Sequence, residues 1–253
     1  MRGEGRYLYC LIQGTHEGVF QSPGVGNGRV AVRALSFKDI SAVVSESNAD
    51  LIRATAENCM RHEKVLEEVI QNHRALLPFE FGTVAPDEKA VEAMLRDNCS
   101  QIRKTLSKIS GRIEVNVKAL WRDRKTVFQE ILKEHKMIAH YKEEIAKKPF
   151  DATYQDRIKI GQMISEALRE KKERESEKLI RSLRRHAKDV MRGPTFEDEM
   201  IMNVSFLLPR EKKETFEKDL YQLGDQCEGR IDFKYQDERP PYSFVNLNLR
   251  VKT

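Results

Sequence analysis

The sequence has few cysteines, no long hydrophobic run and no marked excess of charge of one sign. Its four cysteines, Cys10, Cys59, Cys99 and Cys227, are far apart and form no C-x-x-C pair, so neither a disulfide framework nor a zinc site is expected. No apolar run approaches the roughly 20 residues of a membrane-spanning helix, and the first residues lack the pattern of a signal peptide. We therefore expect a soluble protein of a reducing cytoplasm.

The charge balance argues against a dedicated nucleic-acid-binding protein. The chain has 45 Lys and Arg against 40 Asp and Glu, a net charge of +5, and the two signs alternate along its length. A nucleic-acid-binding protein usually concentrates basic residues on one face. With 253 residues, 40% of them hydrophobic, the chain is long enough for one large domain or two small ones.

The first half of the sequence has the patterns of an α+β protein. Residues 15–28 are turn-rich and are interpreted as a loop. Hydrophobic alternation predicts strands, and apolar residues at helical spacing predict helices; the strands are 6–14, 28–37, 39–47, 75–84 and 112–121, and the helices are 57–73 and 87–110. This order predicts a largely antiparallel sheet with helices packed on one face.

The second half predicts a further α+β unit. Its predicted helices are 126–147, 154–191 and 210–227, and its predicted strands are 199–209, 229–236 and 242–251. The highly charged stretch 169–178 is interpreted as a solvated part of its helix. We expect an N-terminal α+β domain over 1–125, a connecting helix over 126–150, and a modified ferredoxin-like domain with a long helix over 151–253.

A glycine-rich stretch, SPGVGNG at 22–28, is the strongest candidate for a phosphate site. A phosphate cradle needs a helix N-terminus directly after the glycines. Here the stretch leads into the predicted strand 28–37, so we interpret it as a turn. No cofactor is expected.

The histidines give little indication of a metal or catalytic site. His62 and His73 share a helix face with no visible third ligand, so structural histidines are favoured over a metal site. A dispersed catalytic site of His62, Glu63 and His73 remains an alternative. Glu80, in the predicted strand LPFEFGTV, has no visible acid or base partner and is expected to point at solvent or at a partner Arg. We expect no enzymatic activity.

Seven blocks in a fixed order carry a resemblance to a known family. They are YLYCLI (7–12), RHEKVLEEVI (61–70), LLPFEFGTV (76–84), IEVNVKALW (113–121), KIGQMISEAL (159–168), EDEMIMNVSFLLP (197–209) and PPYSFVNL (240–247). Together they resemble the gas vesicle protein F and L family (GvpF/GvpL), closer to the F type. One departure is Glu80, where the family pattern leads us to expect a basic or apolar residue.

The resemblance implies a non-enzymatic accessory protein of gas vesicles, the hollow protein shells that give buoyancy to aquatic prokaryotes. It implies two α+β domains, a minor structural or assembly role, and a cytoplasmic location at the vesicles. The implied partners are the main shell protein, gas vesicle protein A, and other minor gas vesicle proteins, with neither nucleic acid nor membrane.

The residues suggest one candidate surface for such a partner. Pro240, Pro241, Tyr242 and Phe244 follow a charged segment, and prolines keep a segment out of a sheet while aromatics anchor interfaces. The alternative is that Tyr242 and Phe244 begin a core strand.

A different function remains open beside the resemblance. A basic α+β nucleic-acid-binding protein would display aromatic residues on a sheet face beside a basic patch. Tyr7, Tyr9, Phe79 and Phe81 could supply those aromatics.

Overall fold

The structure, a computed structural model, describes residues 5–26, 28–47 and 52–245. The chain divides into two compact units that are interleaved in sequence. The first unit comprises Met1–Val115, Leu207–Arg210 and Asp237–Thr253, and the second comprises Asn116–Phe206 and Glu211–Gln236. The domain boundaries predicted from the sequence, at 125 and 150, differ from this division and stay a prediction.

The first unit is built on an antiparallel sheet. Its strands lie in the order β2-β3-β4-β1-β5, and β6 also pairs with β1. The strands are β1 (Gly5–Gln13), β2 (Val19–Gly24), β3 (Val30–Phe37), β4 (Ile40–Ser47), β5 (Leu76–Pro78) and β6 (Val84–Ala85), and the helices are α1 (Ala56–Asn72) and α2 (Glu88–Ile109). The prediction of a loop over 15–28 is wrong for β2, because pairing with β3 outweighs its turn-rich composition.

Helices cover both faces of this sheet, whereas the sequence predicted one covered face. Tyr7 and Tyr9 of β1 pack with Leu66 of α1, and Leu8 of β1 packs with Leu95 of α2. Strands buried on both faces lose the polar alternation that distinguishes a half-exposed sheet. A register shift between Leu8 and Cys10 also breaks the period of two, as an extra residue in a strand does.

The predicted strand 75–84 is two short strands separated by a turn. Leu76–Pro78 and Val84–Ala85 both pair with β1, Phe79 and Thr83 still make backbone hydrogen bonds to it, and residues 80–82 between them form the turn. The carbonyl of Glu80 accepts hydrogen bonds from the backbone N–H and hydroxyl of Thr83. The side chain of Glu80 is exposed, as expected.

A second sheet has the strand order β10-β7-β9-β8. Its elements follow the order strand, helices, strand, strand, helix, strand, which is the order of the ferredoxin-like motif. They are β7 (Arg112–Trp121), α3 (Arg124–Glu134), α4 (Lys136–Ala146), α5 (Tyr154–Arg184), β8 (Asp189–Arg192), β9 (Met200–Pro209), α6 (Lys213–Gln226) and β10 (Ile231–Arg239). The sequence assigned β7 to the N-terminal domain, so the first strand of this motif was missing from the prediction.

Three predicted elements of the second half are wrong in extent. The helix 126–147 breaks at His135, whose backbone leaves the helical region between α3 and α4. The helix 154–191 ends at Arg184, and residues 189–192 form the edge strand β8. The predicted strand 242–251 begins with a one-turn 3₁₀ helix, Tyr242–Phe244, and residues 246–251 lie outside the described part of the chain.

The charged stretch 169–178 is helical but is not simply solvated. Lys171 and Ser176 are buried, and Lys171 forms ion pairs with Glu130 and Glu134 of α3. The charges therefore join two helices, in contrast to the solvated stretch that the sequence predicted.

Candidate protein-binding surface

The four residues predicted to bind a partner belong to the first unit. Pro240, Pro241 and Phe244 are buried, and Tyr242 is half-buried against the cluster that contains Tyr7 and Tyr9. The backbone N–H and hydroxyl of Ser243 donate to the carboxylate of Glu114, at 2.9 and 2.7 Å. This segment is thus engaged within the fold, and its role in binding a partner stays a prediction.

His62 is the centre of a buried hydrogen-bond chain. Its Nδ1 lies 2.9 Å from the hydroxyl of Tyr7, and its Nε2 lies 3.3 Å from the hydroxyl of Tyr242. The hydroxyl of Tyr7 also accepts a hydrogen bond from the backbone N–H of Gly82 at 3.1 Å. The chain thereby ties α1 to β1, to the turn before β6 and to the C-terminal 3₁₀ helix.

Burial suits this cluster to a structural role and makes it a poor site for acid–base catalysis. It lowers the pKa of His62 to about 4 and raises the pKa values of Tyr7 and Tyr242 above their ordinary values. All three side chains are therefore neutral at pH 7, and a histidine with so low a pKa is a weak general base there. His73 lies apart, with its ring 5.4 Å from that of His16 in a tilted arrangement. Among the described residues, no three His, Cys, Asp or Glu side chains are grouped to hold a metal ion.

The carbonyls of the glycine-rich stretch point at the guanidinium of Arg61, whereas a phosphate cradle points backbone N–H groups at an anion. Arg61 Nη1 donates to the carbonyls of Gly24, Gly26 and Gly28, at 3.2, 2.8 and 2.7 Å. The N–H of Val25 donates to the hydroxyl of Tyr9 at 2.7 Å, so this amide is already used. A Cβ on Gly24 would lie 2.9 Å from that hydroxyl, which requires glycine there.

Replacing Arg61 with alanine is expected to lower the free energy of unfolding by about 2 kcal/mol, because three carbonyls lose a charged donor. Urea unfolding followed by circular dichroism measures the change. Glu57→Gln is the matched control, since it removes only the exposed ion pair between Glu57 and Arg61, with an effect below about 1 kcal/mol. Equal effects of the two substitutions would show that the hydrogen bonds from Arg61 to the three glycine carbonyls do not stabilise the fold.

The α4–α5 hairpin of the second unit leaves much apolar surface uncovered. Over residues 136–166, all of which the structure describes, only Ile138 and Thr153 are buried. Large hydrophobic side chains are instead exposed; they are Met137 (75%), Phe150 (74%), Tyr154 (62%) and Ile158 (43%). Isolated exposed hydrophobics are ordinary, but several on one hairpin make it a candidate interaction surface.

A groove of about 820 Å³ lies at the break between α3 and α4, where α5 passes. Met137, Ile138, Met163 and Ala167 supply its apolar lining. Its polar lining includes Glu166 and Glu170 of α5. Methionine side chains adapt to partners of different shape, so this apolar groove with a polar rim suits an amphipathic helix. We refer to these lining residues as the α4–α5 groove.

The aromatic residues proposed for nucleic-acid stacking are not displayed on a free face. Tyr7 and Tyr9 are buried under α1, and Phe79 and Phe81 are partly buried against the two cores. A stacking platform needs solvent-facing rings.

Within the described residues, no helix is both long enough and apolar enough to span a membrane.

Comparison with known proteins identifies the family. The sequence profile of the gas vesicle synthesis protein GvpL/GvpF family matches residues 5–246. The chain belongs to the GvpL/GvpF family. Gas vesicle protein F of Nostoc sp. is 29% identical over 81% of this chain and 83% of its own length. Gas vesicle protein F of Dolichospermum flosaquae is 25% identical over 96% and 98%.

Solved structures of GvpF share the fold. The crystal structure of GvpF from Anabaena sp. matches with a TM-score of 0.86 and 26% identity, over 97% of this chain and 99% of that one. GvpF from Microcystis aeruginosa matches with a TM-score of 0.81 and 24% identity, over 96% and 99%. The predicted family, the F type and the α+β class are confirmed. The chain has a gas vesicle accessory role, in a family of structural and assembly proteins.

Sequence reasoning missed the α4–α5 groove, although its residues were visible. Ile138, Met163 and Ala167 belong to apolar stripes at helical spacing, which normally indicate a buried face. Whether a stripe is covered depends on elements distant in sequence. The available signal was the number of apolar stripes, since the second half has three predicted helices with such stripes and only three predicted strands to cover them.

Proposed function

We propose that this member of the GvpL/GvpF family binds the main shell protein, gas vesicle protein A, while vesicles form. The proposed role is that of an assembly factor or minor structural component, without enzymatic activity, in the cytoplasm at the growing vesicle. Other minor gas vesicle proteins are further proposed partners. The observation that carries this proposal is the uncovered apolar surface of the α4–α5 hairpin, in a chain of a gas vesicle family.

The chemistry of a gas-filled shell supports an apolar contact. A shell that holds gas and excludes water needs a subunit with a large apolar surface, and such a surface drives association in water. Before assembly, that surface must be covered by another protein. The α4–α5 groove offers a flexible, methionine-containing cover for one apolar helix of the shell protein.

Met137→Glu is expected to weaken shell-protein binding at least about tenfold, because a carboxylate replaces an exposed apolar anchor. Met60→Glu is the matched control, since Met60 is also an exposed helical methionine, 57% accessible, but lies on α1. A pull-down with purified gas vesicle protein A at low and high salt measures both. Binding through apolar contacts persists at high salt.

Three outcomes would contradict the proposed site or the proposed function. Equal loss in Met137→Glu and Met60→Glu would remove the groove from the site. If only Tyr242 and Phe244 variants lost binding, the contact would move to the C-terminal segment predicted from the sequence, which the partner would have to displace from the core. No binding at either salt, with salt-sensitive retention of nucleic acid, would favour the nucleic-acid alternative.

A further inference from the structure

A small apolar pocket lies in the second unit, beside the end of β7. Its volume is about 120 Å³. It is lined by Trp121, Val127, Phe128, Ile131, Ile164 and Leu168, with Arg124 and Asp198 beside them. An apolar cavity of about 150 Å³ binds benzene, so this pocket has the size and polarity for one aromatic ring or branched aliphatic side chain.

A loop next to this pocket holds an aromatic ring in solvent. Phe196 is 81% exposed, the most exposed of the large hydrophobic side chains in the described residues. It lies two residues before Asp198, which lines the pocket. Moving an exposed aromatic ring from water into an apolar pocket is favourable. The Phe196 ring of the loop and the apolar lining of the pocket are therefore chemically complementary.

The loop is fixed on both sides of Phe196. On one side, Gly193 and Pro194 are bonded to Asn203, through Gly193 N–H to the Asn203 carbonyl at 2.7 Å and Asn203 Nδ2 to the Pro194 carbonyl at 3.0 Å. A Cβ on Gly193 would lie 2.9 Å from Asn203 Nδ2, so this approach requires glycine.

On the other side of Phe196, charged residues hold the loop. Lys172 donates to the carbonyl of Glu197 at 3.1 Å, and Arg124 binds Asp198 at 2.9 Å. To enter the pocket of its own chain, Phe196 would have to disturb these contacts. The loop therefore presents Phe196 outward, to another molecule.

We propose that the occupant of the pocket is Phe196 of a second copy of this chain. Because the loop and the pocket are neighbours, a two-fold arrangement lets each copy fill the pocket of the other, which closes the assembly as a dimer. The charged groups around the pocket are already paired within the chain, Arg124 with Asp198 and Glu199 at 2.9 and 3.0 Å. Burial of the Phe196 ring therefore drives the pairing. This inference does not depend on binding of the shell protein.

The dimer is expected to be weak and reversible. A contact centred on two rings and their charged surroundings is smaller than the roughly 1,200–2,000 Å² of a stable interface. Burial of one phenylalanine ring nevertheless corresponds to at least about a tenfold change in a dissociation constant. Phe196→Ala should therefore weaken dimerisation at least about tenfold per ring, and Phe196→Trp should retain the dimer more than alanine does.

Trp121 provides a direct readout, since it lines the pocket and is the single tryptophan of the chain. The full chain is labelled with 5-fluorotryptophan, and its ¹⁹F resonance is recorded over a concentration series beside sedimentation equilibrium. We expect the resonance to shift as the dimer forms. In Phe196→Ala, both the shift and the dimer should be lost, while added benzene should still move the resonance. The response to benzene shows that the variant is folded and that its pocket is intact.

Three results would overturn the proposal. A resonance that differs between wild type and Phe196→Ala but does not change with concentration would place Phe196 in its own pocket. A wild-type chain that stays monomeric with an unchanged resonance would exclude the second copy. A resonance that responds only to added shell protein would assign the pocket to that partner.

Discussion

Replacing Glu175 with alanine is expected to lower the free energy of unfolding of the second unit by about 3 kcal/mol, the cost of breaking a partly buried ion-pair network. The Glu175 carboxylate accepts two hydrogen bonds from Arg230, at 2.6 and 3.0 Å, and one from the indole of Trp121 at 2.8 Å. Its side chain is only 14% exposed. The substitution leaves the indole N–H without this acceptor and Arg230 with half of its partners.

The same network explains why removal of one carboxylate should have so large an effect. Arg230 also binds Glu130 of α3, at 2.8 and 3.1 Å, and Lys171 binds Glu130 at 3.0 Å. Arg230 and then Lys171 hold the pKa of Glu130 at about 2. One group of charges therefore joins α3, α5 and the start of β10, and loss of one member leaves the others unevenly paired.

Fluorescence of Trp121 during urea unfolding measures this effect locally, because the indole is part of the network. Glu173→Ala is the matched control on the same helix. Glu173 is 62% exposed and pairs with Arg192 at 2.8 Å, so its loss should change the stability by less than about 1 kcal/mol. Similar unfolding midpoints for the two variants would show that the network does not stabilise the unit.

Local sequence patterns alone were sufficient to predict two elements of the fold. The strand 112–121 and the helix 87–110 were predicted nearly to the residue, because alternation and the apolar stripe continue without interruption over their lengths. Asp87 caps the helix through the N–H of Ala90, a signal that sequence supplies. Family resemblance then supplied the function class, which no catalytic or ligand-binding motif in the chain could have given.

Predictions failed where tertiary contacts decide the structure. Val190 fits a helical stripe, yet it lies in β8, where pairing with β9 outweighs helix propensity. Lys171 belongs to a run of charges that looked solvated, and only the position of Glu130 and Glu134 on α3 makes it a buried ion. Phe244 had two interpretations from the sequence, a partner surface or the start of a core strand; the fold shows it buried in the first unit, and its role in binding a partner stays a prediction. The exposed ring of Phe196 gave no periodic signal at all.

Lowering the pH from 7 to 5 is expected to destabilise the first unit by about 2 kcal/mol through His62 alone. The pKa of His62 is about 4 in the fold, because of burial, against about 6.5 in an unfolded chain. Between these values the unfolded chain binds the proton and the folded chain does not. The stabilisation is therefore complete above pH 6.5 and is lost progressively as the pH falls toward 4.

His62→Gln should remove this pH dependence, since glutamine can still bond to Tyr7 and Tyr242 but does not titrate. The difference between wild type and variant isolates His62 from His73, whose pKa burial also lowers, and from Glu130, which titrates at lower pH. Hydrogen exchange at the Ser243 amide, which is bonded to Glu114, reports release of the C-terminal segment. If wild type and His62→Gln lost protection equally between pH 7 and 5, His62 would not be the group that holds this segment.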